Sequence, residues 1–277
     1  MSSACKALAA LIVCSCGLSC AAAPLLRVCA DPNNSPYSDR QRDGLENRVA
    51  EMVAKDLGMQ VSYFWFPQQN AFFRKTLESG RCDVVMAAPV GMKGIEMTRA
   101  YYRSSYVFVS RRSDDLRIRS FDDARLKRLR VGVQVLDSGD DSLPPVFALA
   151  SRGIVRNVVG YSLFGHSVTQ VNPTADLIEA VARRQVDVAI AWGPTAGYFA
   201  RQSSVPLDVQ PIERDPAHPN LPFTYAIGIG VRKGGTALRA KLDAELVRRR
   251  RDIARLLREY GFPQLGLAEP PRTVAEK

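Results

Sequence analysis

From Leu26 onward, short apolar runs alternate with stretches whose apolar residues recur every three to four positions. "LRVCA" (Leu26 to Ala30) predicts a strand, and Leu45, Val49, Met52, Val53 and Leu57 lie on one face of a helix that stops at Gly58. "QVSYFWF" predicts a second strand, "AFFRKTLESG" a helix ending in Gly80, and Val84 to Ala88 a third strand. The same order returns as "LRVGVQV" (strand), "PVFALASRG" (helix), "SVTQV" (strand), "TADLIEAVARRQ" (helix, with Thr174 as N-cap) and "VDVAIAW" (strand). Each half is a βαβαβ unit whose last strand is continuously apolar, as a parallel sheet covered on both faces requires. The predicted class is α/β.

Between the halves, "YYRSSYVFVSRRSDDLRIRSFDDARLKR" predicts a strand followed by a polar connector. After the second half come the Pro-rich "IERDPAHPNLPF", the strand "TYAIGIGV" and a long helical stretch. A chain that leaves one lobe, builds another and returns predicts two crossings, a two-strand hinge and a central cleft. The expected division is lobe 1 at 24–112 and 217–263, lobe 2 at 113–216, and a flexible tail at 264–277.

Composition adds compartment and charge. The chain has 277 residues, 46% hydrophobic and 24% charged, a globular balance. Residues 1–23 carry one cation, Lys6, then an apolar run from Ala7 to Leu18 and small residues closing on Ala21 to Ala23, the pattern of a cleavable secretory signal peptide. Its apolar run is shorter than the roughly 20 residues of a membrane span, and no later stretch qualifies. A lipoprotein reading, on Cys14, Cys16 or Cys20, lacks the Leu expected three positions before Cys20. Export to the periplasm follows.

The leader holds one Lys and no acid, so the mature chain keeps 37 basic and 28 acidic residues, a net charge of +9. That balance favours acidic partners. Nucleic acid is excluded by export and by the lack of a basic stripe interleaved with aromatics. The dense run Arg248 to Arg251 reads as the solvated face of an amphipathic helix. Of six cysteines only Cys29 and Cys82 remain after the leader; an oxidising compartment favours pairing them, whereas parallel neighbouring strands could hold them too far apart.

The element order, together with "APVGMKGIEMTRAYYRSSYVFV" and "LKRLRVGVQV", resembles the two-lobed type 2 periplasmic binding proteins of solute-binding family 3. That resemblance implies a ligand cleft at strand C-termini and helix N-termini. It also implies an Arg and an Asp anchoring an amino acid's carboxylate and ammonium, but Gly91 and Trp192 stand at those positions. With both anchors missing, an amino acid is not the expected ligand. Lys93 could replace the Arg only as a point charge without a bidentate fork.

Cys29 to Asn34, Pro36-Tyr37, Glu46-Asn47, Cys82 to Met86, "YYRSSYVFV" and "RRRRDIARLLREYGFP" resemble the MoxJ/XoxJ group, associated with PQQ-dependent methanol and alcohol dehydrogenases. This resemblance implies a non-catalytic, monomeric accessory protein without cofactor that supports maturation or activation of a quinoprotein dehydrogenase by direct contact, with its c-type cytochrome as a second candidate partner. It also implies a Cys29–Cys82 disulfide. The alternative is a transport receptor for a small uncharged or aromatic solute. A lyase is a third reading, disfavoured by Gly91.

Topology offers Asp31, Asn33, Tyr37, Gln69 and Pro89 from lobe 1 as cleft residues, and Gln134, Thr174 and Trp192 from lobe 2. Asp31 and Asn33 equally suit a turn, and Trp192 either stacks on a ligand or packs. "DSGDDS" (Asp137 to Ser142) lacks calcium-loop spacing and reads as a capping turn, so no metal site is expected. "GIGVRKGG" is not a phosphate loop. The two histidines, His166 and His218, are far apart, and no nucleophile motif is present.

Overall fold

The structure is a computed structural model and describes residues 23–69, 71–136, 143–164 and 172–266. In chain order the elements are β1 (Leu25–Ala30), β2 (Asn33–Asn34), β3 (Ser38–Asp39), α1 (Leu45–Asp56), β4 (Gln60–Trp65), α2 (Phe72–Lys75), β5 (Val84–Pro89), β6 (Glu96–Met97) and β7 (Tyr102–Arg111). Then follow β8 (Val131–Val135), α3 (Pro144–Ala150), β9 (Val158–Ser162), α4 (Ala175–Ala182), β10 (Val188–Trp192), α5 (Gly193–Gln202), β11 (Leu207–Ile212), β12 (Thr224–Val231), α6 (Thr236–Arg248) and α7 (Arg250–Glu259).

The main sheet runs β4-β1-β5-β12-β7-β10-β8-β9. The pairs β1/β4, β1/β5, β8/β10 and β8/β9 are parallel, so each half keeps the βαβ logic of its sequence. β7 joins the halves. Its Tyr102 to Ser105 pair with β12, its Tyr106 to Ser110 pair with β10 on one edge, and its Tyr106 to Arg111 pair with β11 on the other.

Alternation along the buried strands feeds separate cores. Leu26, Val28, Val84 and Met86 pack with Val49, Val53, Ile229, Leu242 and Leu257 under α1, α6 and α7, whereas Cys29 and Val85 point to the other face, against Phe72, Leu77 and Cys82. In the second half Val131, Val133, Val188 and Ile190 face one layer, and Val107, Val109 and Ala189 face α4 and α5. Burial on both faces explains why these strands read as continuous apolar runs.

Four expectations need correction. The helix expected over "AFFRKTLESG" ends at Lys75, because the Thr76 hydroxyl donates to the Phe72 carbonyl while the backbone N–H groups of Thr76 and Glu78 both turn to Phe73. The strand beside β8 is β9, and "SVTQV" lies outside the described residues; β9 was obscured by Gly160 and by exposed Val159 and Gly160. The long C-terminal helix breaks at Arg249; Arg248, Arg250 and Arg251 are exposed, as a solvated face requires, while Arg249 is half-buried, and Arg248 and Arg249 also bind Asp56 at the end of α1. The strand-distance objection to a disulfide also fails. Cys82 sits in the bend before β5, outside its ladder, and bonds Cys29 with a Cα–Cα separation of 5.5 Å.

"DSGDDS" and His166 lie outside the described residues. His218 is placed, its Nε2 2.8 Å from the Ser151 hydroxyl at the surface. Gln264 to Gly266, the start of the expected tail, remain against the body, with the Leu265 N–H donating to the Arg103 carbonyl at 3.1 Å.

Candidate functional site

The eight cleft candidates of the sequence, Asp31, Asn33, Tyr37, Gln69, Pro89, Gln134, Thr174 and Trp192, all line one cavity of about 570 Å3 between the two halves of the sheet. β1, β5, β8 and β10 end there, as an open α/β sheet dictates.

Its floor is aromatic, and the strand register explains why. Tyr106 is the first residue of β7 paired with β10, directly opposite Trp192, while Tyr225 comes in on β12. Tyr106 and Tyr225 each meet Trp192 edge-to-face at 5.7 Å between ring centroids. Trp192 therefore packs and lines the cavity at once.

The loop after β1 forms one wall. The Asp31 carboxylate accepts the backbone N–H of Asn33 (2.8 Å) and of Gln68 (2.5 Å), which is the turn role. The loop then folds over the start of α1: Leu45 N–H donates to Pro36 O and Glu46 N–H to Tyr37 O, both at 2.8 Å. Gly44 permits this approach, since a Cβ there would collide with the Tyr37 carbonyl. Three contacts carry the loop across to the other half. Tyr37 Oη lies 2.9 Å from Thr195 Oγ1, and the Ser35 N–H donates to Asn172 Oδ1 at 2.9 Å. The Asn33 carbonyl also accepts the Asn172 N–H at 3.4 Å.

Gln69 and Pro89 meet the cavity at loop ends; their carbonyls accept the N–H groups of Phe72 and Met92. On the opposite wall Gln134 Oε1 accepts the Trp192 N–H at 3.3 Å, leaving Nε2 buried without an acceptor. Thr174 occupies the N-cap position of α4, but its hydroxyl makes no cap hydrogen bond and is buried without a partner, against the capping expectation. Lys93 is exposed and does not line the cavity.

Reading topology alone missed Glu46, Tyr106, Thr195 and Tyr225, all of which line the cavity. Glu46 is the most perturbed acid there: burial, reinforced by the Asp31 charge, pushes its carboxyl up to about 8. Burial likewise raises the Tyr37 and Tyr106 hydroxyls. Among the described lining residues Asp31 and Glu46 are the only carboxylic acids, and there is no Lys, Arg or His. Among the described residues no group of three or more His, Cys, Asp or Glu is arranged for a metal, and no helix is long and apolar enough to cross a membrane.

A two-part α/β body with a cavity at the strand ends and both halves contributing walls defines a solute-binding protein. The chain belongs to the bacterial extracellular solute-binding proteins, family 3, whose sequence pattern it matches over residues 26–263. Its fold is the mixed α/β type 2 periplasmic binding protein fold. It is 32% identical to protein MoxJ of Methylorubrum extorquens, over 87% of this chain and 81% of that one. Among solved structures it is similar to the periplasmic binding protein XoxJ from Methylobacterium extorquens AM1, with a TM-score of 0.71 and 34% identity, covering 87% of this chain and all of that one. MxaJ from Methlophaga aminisulfidivorans shares the fold, with a TM-score of 0.74 at 23% identity over 87% of this chain and all of that one. The family is generally non-catalytic.

Proposed function

We propose that this protein is a non-catalytic periplasmic accessory protein that binds a PQQ-dependent methanol or alcohol dehydrogenase and supports its maturation or activation. The likeness to MoxJ and XoxJ over 87% of the chain supports this reading. The observation that carries it against an amino-acid receptor is the cavity lining. No cation among its described residues meets an α-carboxylate, and an aromatic ring stands where the resemblance expects the ammonium's partner. An amino acid entering would lose hydration at its carboxylate without gaining a counter-charge.

In this reading the signal peptide delivers the chain to the periplasm, lobes 24–112 with 217–263 and 113–216 close about the hinge, and the basic mature surface meets an acidic dehydrogenase. The eight cleft residues named from the sequence then receive an occupant or set the degree of closure. Copurification of the mature protein with the dehydrogenase from the same organism tests the contact. A complex that weakens as salt is raised is expected, because screening removes charge attraction between exposed groups. No complex at low salt would overturn the reading.

A further inference from the structure

The protein as a whole is strongly basic, with a formal net charge of +10, yet its cavity inverts that sign. Every formally charged side chain among the described lining residues is an acid, and the walls between are aromatic. No hydrogen bond or ion pair from the described residues reaches the Glu46 carboxyl. Two further groups in the same cavity lack what they need. Gln134 is 4% exposed, and because its Oε1 already accepts the Trp192 N–H, its free end is a donor seeking an acceptor. Thr174 is 9% exposed with its hydroxyl unpartnered. Buried polar groups left so are costly, and a ligand that satisfies them gains what the empty cavity forgoes.

We infer that the cavity binds a small organic monocation, an ammonium or amidinium compound bearing a hydrogen-bond acceptor and no carboxylate, and that Glu46 sets its charge selectivity. The positive end meets Glu46, the Asp31 charge and the faces of Tyr106, Trp192 and Tyr225, which attract cations through their ring quadrupoles. The acceptor end meets Gln134 Nε2 and the Thr174 hydroxyl. An anion would be repelled by Asp31 with nothing to compensate it. An uncharged solute, the class left open by the sequence, would leave the Asp31 charge without a counter-charge and the Glu46 carboxyl protonated. A bare metal ion is a poorer fit, because both Asp31 oxygens already hold backbone N–H groups.

Binding then couples to a proton. The groups facing Glu46 are Asp31, Tyr37, Tyr63, Tyr101 and Tyr102; burial raises all four tyrosines, so they are neutral near pH 7 and Asp31 is the charge that Glu46 feels. In the empty cavity the Glu46 carboxyl holds its proton at neutral pH. An arriving cation stabilises the carboxylate, and the carboxyl proton leaves to solvent, one per ligand bound.

This inference goes beyond the dehydrogenase reading and does not rest on it. The test is isothermal titration of the mature protein with two triplets of probes: choline, its uncharged isostere 3,3-dimethylbutan-1-ol and glycine betaine; and 4-aminobutanamide, pentanamide and 4-aminobutanoate. At least one cation should bind, with its uncharged and carboxylate-bearing counterparts about tenfold weaker or worse. Its affinity should rise by up to about tenfold per pH unit from about pH 6 toward about pH 8, and enthalpies in two buffers should report proton release. Glu46→Gln should abolish the pH dependence and proton release and reduce the charge preference to what Asp31 and the aromatic rings supply alone. Binding of neither cation at millimolar concentration, equal binding of the uncharged isostere, or no proton release by the wild type would overturn the inference, even if Glu46→Gln failed to fold.

Discussion

Replacing Asp56 by Asn removes the charge that ties the end of α1 to the break between α6 and α7. The Asp56 carboxylate is 8% exposed and accepts Arg249 Nε at 2.6 Å and Nη2 at 2.8 Å, with Arg248 Nη2 at 2.6 Å. These arginines hold its carboxyl far below the ordinary carboxylate range, although burial pulls the other way. Breaking a fully buried pair costs about 3–5 kcal/mol. Arg249 is 33% exposed and Arg248 52%, so water recovers part of that, and about 2–3 kcal/mol is expected. For a chain of this size the loss lowers Tm by about 4–12 °C. A carboxyl whose folded value is depressed contributes stability that is complete above its unfolded value, near 3.8, and lost as pH falls through the folded value. The gap between wild type and Asp56→Asn should therefore hold from neutral pH down to about pH 4 and close in stronger acid. Scanning calorimetry across that range is the assay. A Tm change under about 1 °C at neutral pH, or a gap that persists unchanged in strong acid, would refute the reasoning.

Three other perturbations probe the walls of the cavity. Removing the Cys29–Cys82 bond, which spans 53 residues, by a double Ser substitution should cost about 4 kcal/mol in a denaturant titration, and a loss below about 1 kcal/mol would contradict the constraint assigned to it. Tyr37→Phe leaves the buried Thr195 hydroxyl without its partner and should cost about 1 kcal/mol, with faster hydrogen exchange in residues 33–38. Gly44→Ala puts a methyl group into the Tyr37 carbonyl and should loosen that loop more than Tyr37→Phe does, by about 1–3 kcal/mol. Equal exchange rates in the two variants would argue against loop displacement.

The frame of the fold was legible where burial is two-sided. Val188 to Ala191 form a continuous apolar run whose alternate residues fill two different cores, the mark of a strand covered on both faces, and α1 announced itself by the spacing of Leu45, Val49 and Val53. β9 was not legible, because an edge strand with exposed Val159 and Gly160 carries no apolar run. Strand ends, the loops after them and, for Thr174, a helix N-terminus pointed to the eight cavity residues named from topology. Glu46 escaped that reading because an acid in the first turn of a helix is ordinary by itself. It becomes unusual only when the Tyr37 loop folds over it, a contact set by Gly44 and closed from the other half by Thr195. Tyr106 and Tyr225 escaped because only the change of pairing along β7 brings them to Trp192.

The most direct test of the accessory role is the activity of a purified, metal-poor PQQ-dependent dehydrogenase from the same organism, followed as its metal and cofactor are restored with and without this protein. The account predicts a complex and a faster or fuller gain of activity that saturates at a fixed ratio of the two proteins. Identical recovery in its presence and absence, with no complex formed, would contradict it.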